Sequence, residues 1–215
     1  DGTVNLTGGS LTVQTFDASE LDSFSSGTVE STGTLTGLNQ LGNGATARVT
    51  GSSAVALLLN ETLTLDGGTL EIANGANATP IGTGTLVFDG TNGGEIALDN
   101  GTLNVASMST ALTLNANASI TGNGSIYGNI GLGTGGTIDG DATGLKIYGD
   151  VSGTGTLADT TLFGNLNIGN SPGDIYLENT TLSASTIVAL AIEGPDLGQF
   201  DRLFVDATSD VSAAT

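Results

Sequence analysis

The aliphatic residues of this chain fall into two short patterns, and both recur. In the first, glycine or asparagine and then a hydroxyl residue lead into Leu or Ile. It ends at Leu11, Leu35, Leu70, Leu86, Leu103, Ile120, Ile138 and Leu157, with steps of 16, 17, 17, 18 and 19 residues from Leu70 onward. In the second, apolar and polar positions alternate over a few residues. Leu63-Thr64-Leu65, Ile96-Ala97-Leu98, Leu112-Thr113-Leu114, Leu145-Lys146-Ile147 and Leu166-Asn167-Ile168 are examples. Period-two alternation sends every second side chain to one face of a strand. The runs are bounded by Gly, Asn or Asp, which reach positive φ at little cost.

Two or three short strands per coil of about 17 residues predict an all-β chain, a parallel β-helix (β-solenoid). Inward aliphatics would stack ~4.8 Å apart, so about a dozen coils would make a rod of roughly 55–60 Å. Each buried aliphatic contributes about 1.5–3 kcal/mol. A single coil encloses no interior, so stability is collective. A sandwich of hairpins also accommodates turns every 8–10 residues. The in-register recurrence favours the solenoid.

Helix signals are almost absent, because Gly, Thr and Val recur too often. One interruption falls at 15–26, where Phe16, Leu21 and Phe24 break the repeat as a loop or helical turn. After Gly169 the sequence Asn170-Ser171-Pro172-Gly173-Asp174 reads as a turn. Longer strands are predicted beyond it, at 174–178, 185–193 and 202–206, with a loop at 194–199. The expected division is therefore solenoid coils over 1–169, with 15–26 as an insertion, and a C-terminal β section of longer strands over 170–215. That section is the candidate capping or assembly element, and its apolar residues Ile187, Leu190, Ile192, Leu203 and Val205 are the candidate contacts.

Composition narrows the chemistry. Aromatics at 4% imply a slim aliphatic core. Three basic residues stand against 22 acidic ones, a formal charge of −19. Such a surface repels nucleic-acid phosphates and anionic headgroups, so neither is an expected partner. No apolar run approaches the ~20 residues that a membrane-spanning helix needs, so membrane insertion by this segment is not expected. There is no cysteine and no histidine, which removes thiol nucleophiles and imidazole bases from consideration. The chain begins at Asp1 and is read as part of a longer exported protein.

The C-terminal residues carry a resemblance. Ser171-Pro172-Gly173-Asp174, then Thr180-Thr181-Leu182, then 187–193, then Phe200-Asp201-Arg202-Leu203-Phe204-Val205 resemble the stretch that follows the β-helical repeats of autotransporter passengers and related large exported proteins. In that pattern a Ser-Pro-Gly turn leads to a strand pair and then to an aromatic-Asp-x-Leu-x-Val strand. The segment Ala207–Thr215 lacks the Gly-Thr-Leu continuation of the pattern, and no β-barrel translocator is present in the sequence. The resemblance implies export and a right-handed β-helix. It implies no single activity, since passengers of this type include adhesins, proteases and inert stalks.

Candidate chemistry is sparse. A Ser-Lys dyad would need Lys146, which the alternation places outward. Paired carboxylates can hydrolyse glycosides, and Asp139 with Asp141 or Glu95 with Asp99 are the pairs on offer. Asp139-Gly140-Asp141 equally reads as a turn. Its context, Gly135 to Asp141, partly resembles a calcium β-roll repeat, which makes Asp139 and Asp141 candidate calcium ligands. Calcium is the one cofactor these residues suggest. Asn74, Asn77, Asn115 and Asn117 are candidates for amide ladders along the rod. The Thr-rich runs at 62–65 and 112–114 are too irregular for a flat ice-binding lattice. Asn5-Leu6-Thr7 and Asn179-Thr180-Thr181 are glycosylation sequons, expected by chance in so Asn- and Thr-rich a chain.

The expected function is therefore a structural or adhesive segment of a secreted bacterial surface protein, not an enzyme. It would be an adhesin stalk or an extracellular filament subunit, at the cell surface or in a biofilm matrix. A glycan- or calcium-binding module is the alternative, and a polysaccharide-active enzyme the third reading. Its partners would be further copies, neighbouring repeats of a longer chain, or a glycan or host surface.

Overall fold

The computed structural model describes residues 10–17, 26–51, 54–58, 62–81, 84–108, 110–169, 172–192, 194, 196 and 198–215. Every named strand pairing is parallel, and among the described residues there is no helix. The chain is a β-solenoid whose coils have three faces, each a ladder of short strands.

The first face is the most continuous. One inward position passes through Leu11, Val29, Ala47, Leu70, Ile96, Ile120, Ile138, Leu157, Leu177 and Val205, each paired with the next. On the second face the inward ladder is Ala78, Leu103, Ile126, Ile147, Leu162 and Leu182. On the third it is Leu112, Ile130, Val151, Leu166 and Val188. Away from the two ends these side chains are buried and form one aliphatic core. Strand alternation accounts for this: inward Leu, Ile and Val meet at the axis, and outward Thr, Asn and Asp meet water.

The third face is interrupted. Leu86–Phe88 belongs to a separate three-stranded sheet with Gln40–Gly42 and Leu63–Asp66. Among the described residues no pairing joins it to Leu112–Leu114, and a cleft of about 220 Å³ lies between them. Asn115 bridges the break, its Nδ2 donating to the Phe88 carbonyl at 3.3 Å.

Coil length differs from the expected 17. Along the first ladder the steps are 18, 18, 23, 26, 24, 18, 19, 20 and 28 residues. The longer coils carry extra turn residues between faces. One such turn is Asp89 to Gly93, closed by Gly93 N donating to Asp89 O at 3.0 Å. The recurrence read from Leu70 to Leu157 therefore hops between faces. Leu70 lies on the first, Leu86 on the third and Leu103 on the second, after which Ile120, Ile138 and Leu157 all lie on the first. Each is buried, so the inward assignment holds while the period does not. Ten positions at ~4.8 Å per step make a core about 43 Å long, shorter than a dozen coils would be.

Of the interruption expected at 15–26, residues 15–17 belong to the first strand, and 18–25 lie outside the described residues. Beyond residue 170 the same three ladders continue. The nine-residue strand expected at 185–193 is reduced to Val188–Ala189. Ile192 instead forms an isolated antiparallel bridge with Phe200, and residue 193 lies outside the described residues.

Glycine is needed where coils approach closely. At Gly153 (φ +116°) a Cβ would lie 1.9 Å from the Leu132 carbonyl oxygen of the preceding coil. At Gly122 (φ +95°) it would lie 2.0 Å from Leu98 O. The few buried hydroxyls are satisfied, as the close-packed interior requires. Ser31 Oγ donates to Gln14 O at 3.1 Å and lies 3.0 Å from Thr34 O, and Thr186 Oγ1 donates to Leu162 O at 3.1 Å.

Candidate functional site

The outer surface carries chemistry in columns, because parallel in-register coils place equivalent side chains above one another. Polar columns follow the corners. Between the first and second faces, Asn100 N donates to Asn123 Oδ1 at 2.7 Å, and Asn123 Nδ2 to Asp141 Oδ2 at 2.6 Å. Further along, Asn179 donates its amide side chain to Asp159, and its backbone N–H to Asp206 at 3.2 Å. Asn100, Asp159 and Asn179 have positive φ, the conformation these turns demand. Between the second and third faces, Asp150 N donates to Asn129 Oδ1 (3.0 Å), Asn165 N to Asp150 Oδ1 (2.8 Å) and Ile187 N to Asn165 Oδ1 (3.3 Å).

Donors clustered on these turns hold several carboxyls below the usual Asp value. Hydrogen bonds from the Thr143 side chain, then from Asn123, do so for Asp141. The hydroxyls of Thr208 and Ser209 hold Asp206 lowest of all, Ser212 acts on Asp210, and the backbone N–H groups of Asn92 and Thr91 act on Asp89.

Ionic and aromatic groups form columns too. Arg48 lies between Glu30 and Glu71 on the first face. Its Nη1 donates to Glu30 Oε2 at 3.4 Å. Its Nε is 3.2 Å from Glu71 Oε1 but off the hydrogen-bond direction, so that contact is Coulombic only. On the second face Tyr127, Tyr148 and Phe163 stack with centroids 4.8 and 4.7 Å apart. On the first face Tyr176 stacks on Phe204 at 4.6 Å.

The richest constellation surrounds that last pair. Strand Asp174–Glu178 lies against Arg202–Val205, with Asp174 opposite Arg202 and Tyr176 opposite Phe204. Arg202 makes a two-pronged ion pair with Asp174, its Nε 2.7 Å from Oδ1 and its Nη2 on Oδ2. The same guanidinium sits 5.4 Å above the Phe204 ring. Asp174, as hydrogen-bond acceptor and counter-charge, raises the Arg202 pKa further and keeps it cationic. Beside the quartet runs a groove of about 340 Å³ lined by Thr134, Gly135, Thr154, Thr156, Pro172 and Tyr176.

Asp201 braces this region from within. It is 5% exposed. Its Oδ1 accepts from Gly173 N at 2.9 Å and its Oδ2 from Ala191 N at 2.7 Å, while its own N donates to Ala191 O at 3.0 Å. One carboxylate thus ties the Pro172-Gly173 turn, the segment after Val188–Ala189 and strand Arg202–Val205 together. The sequence alone did not single out Asp201, although its place in the aromatic-Asp-x-Leu-x-Val pattern was the signal for it.

Asp139 and Asp141 are both exposed, on either side of the inward Gly140. Asp139 lies between Thr121 and Ala158 in register. No group of three or more Asp, Glu, His or Cys suited to a metal is assembled among the described residues. Glu95 accepts from Thr121 Oγ1 at 2.6 Å, and Asp99 is exposed. Lys146 points outward between Ser125 and Thr161. Asn74 Nδ2 donates to Thr50 at 2.8 Å and Asn117 Nδ2 to Thr91 O at 3.2 Å, each one coil away, whereas Asn77 lies within a strand. Ile187, Leu190 and Val205 are exposed, Ile192 is 80% exposed, and Leu203 is half-buried against the core. No family model, curated protein or solved structure matches this chain.

Proposed function

We propose that this chain is a rod-forming segment of an exported bacterial surface protein, of the autotransporter-passenger kind. Its role on this reading is structural and adhesive, at the cell surface or in a biofilm matrix. One observation carries the proposal: the two halves of the C-terminal pattern meet, with Gly173 N on Asp201 Oδ1 at 2.9 Å. The residues behind the resemblance are thus the residues that join successive coils. Extended architecture supports the same reading, since a solenoid presents long lateral faces from a slender core. The acidic, nearly lysine-free surface favours solubility in a saline exterior.

Neighbouring coils of a longer chain, or further copies of this one, are the partners on this reading. The exposed Ile187, Leu190, Ile192 and Val205 support contact at the C-terminal end. The test is immunogold labelling of intact source cells, combined with negative-stain microscopy of the purified protein. Label outside the envelope and rod-shaped particles are expected. Label that appears only after cells are permeabilised would overturn the proposal.

A further inference from the structure

The groove beside Tyr176 has the features of a small-ligand site, and we infer that it binds a neutral disaccharide unit of a surface or matrix glycan. The inference rests on the adhesive reading above and names where that adhesion would occur.

In a stack of parallel coils a ring can be covered on both faces, one face or neither. Tyr148 is covered on both, by Tyr127 and Phe163. Tyr176 is covered on one, by Phe204, at an interplanar angle of 9°. Its register partner on the other side is Thr156, whose short side chain leaves the opposite ring face overhanging the groove. Tyr176 is 41% exposed. A free, rigid ring face at a groove wall suits the flat C–H face of a pyranose.

Polar groups then match the rest of such a ligand. Thr134, Thr154 and Thr156 each offer a hydroxyl that donates and accepts. Asp174 offers a carboxylate that only accepts, and Arg202 already fixes its orientation. Arrays of O–H groups satisfy both kinds of partner. Uronic acids and sulfated sugars do not suit this site, because the chain carries a net charge of −19 and Asp174 faces the groove.

The groove crosses three successive coils, represented by Thr134, Thr154 and Pro172. Two coil steps amount to about 10 Å, the length of a disaccharide lying along the rod. Gly135 and Gly155 add bare backbone to the lining of the trough. A volume of about 340 Å³ lies at the small end of the range for ligand sites.

Saturation-transfer NMR and titration calorimetry on the whole chain test this, with cellobiose, maltose, lactose and mannobiose as probes and polygalacturonate as the anionic comparison. At least one neutral disaccharide should bind with Kd of about 1–10 mM. Irradiating the aromatic protons should transfer saturation to its ring C–H protons. Tyr176→Leu should weaken binding about tenfold. Asp174→Asn should also weaken it, and Tyr148→Leu, whose ring has no free face, should not. No binding by any neutral probe, preferential binding of polygalacturonate, or equal affinity in Tyr176→Leu and Tyr148→Leu would overturn the inference. If Tyr176→Leu does not fold, the saturation-transfer result on the unaltered chain decides. Surface labelling without disaccharide binding would refute the groove and leave the exported-rod reading standing. Labelling confined to the cell interior would refute the latter whatever the groove binds.

Discussion

The rings of Tyr176 and Phe204 lie parallel, 4.6 Å apart on adjacent coils, and the ion pair of Asp174 with Arg202 repeats the same one-coil relation two residues earlier. Ring pair and ion pair thus clasp the last two strands of the first face. Stacked aromatic pairs contribute about 0.5–1.5 kcal/mol beyond area burial. A double-mutant cycle of Tyr176→Leu and Phe204→Leu, followed by urea unfolding, should give a coupling in that range. Additive losses would show that the rings contribute only as separate apolar surfaces.

Asp201 should be the most sensitive acidic residue. Replacing it with Ala leaves Gly173 N without its acceptor in a buried place and Ala191 N without one in a part-buried place. An unsatisfied buried donor costs about 1–3 kcal/mol, so Asp201→Ala should lose roughly 2–5 kcal/mol. Limited proteolysis should then cut within 191–200 under conditions that leave the unaltered chain intact.

Close approach of coils predicts a sharp contrast among glycines. Gly153→Ala places a methyl 1.9 Å from a backbone oxygen at a φ that L-residues avoid, so it should cost at least ~2 kcal/mol. Gly90→Ala adds a methyl with no atom within 4 Å and should shift the melting temperature little. Thermal unfolding by circular dichroism compares the two directly.

Stability should fall in acid. The carboxyls of Asp89, Asp141, Asp206 and Asp210 are held below their ordinary value of 3.8 by hydrogen bonds to the ionised form. A depressed folded-state pKa contributes stability that is present above the unfolded value and is lost as pH falls through the folded one. The melting temperature should therefore stay nearly constant from about pH 7 to 5 and drop below about pH 4. Relief of repulsion among 22 acidic residues acts in the opposite direction. About 0.15 M salt screens that repulsion and isolates the local effect. A melting temperature that rises steadily toward pH 3 in salt would show that repulsion dominates instead.

Much of the fold is legible in the residues themselves. Alternation in Leu112-Thr113-Leu114 and Leu166-Asn167-Ile168 marks strands that the structure contains, inward at the apolar ends and outward at the centre. Leu70, Leu103, Ile120, Ile138 and Leu157 were recognisable as core from the Gly-Thr-Leu pattern, and all are fully buried. These are local consequences of strand geometry: whether a side chain faces inward or outward depends on its immediate neighbours. The period is not local. A step of 17 residues equals two faces of a long coil near Leu86 and almost a whole coil near Ile138, and no spacing in one dimension distinguishes them. Only pairing between coils does, because backbone hydrogen bonds choose the register and turns of varying length absorb the difference.

The same division applies to the groove. Asp174, Tyr176, Arg202 and Phe204 occupy outward positions of two strands 28 residues apart, and Thr134 and Thr154 lie within strands Ile130–Tyr148 and Val151–Ala158. Alternation determined that Asp174, Tyr176, Arg202 and Phe204 would face solvent, whereas Thr134 does so at a register shift between Leu132 and Gly136. Only the stacking of coils decided that Phe204 would cover one face of Tyr176 while Thr156 left the other open, since a ring's neighbours along the rod are set by coil register and not by chain order.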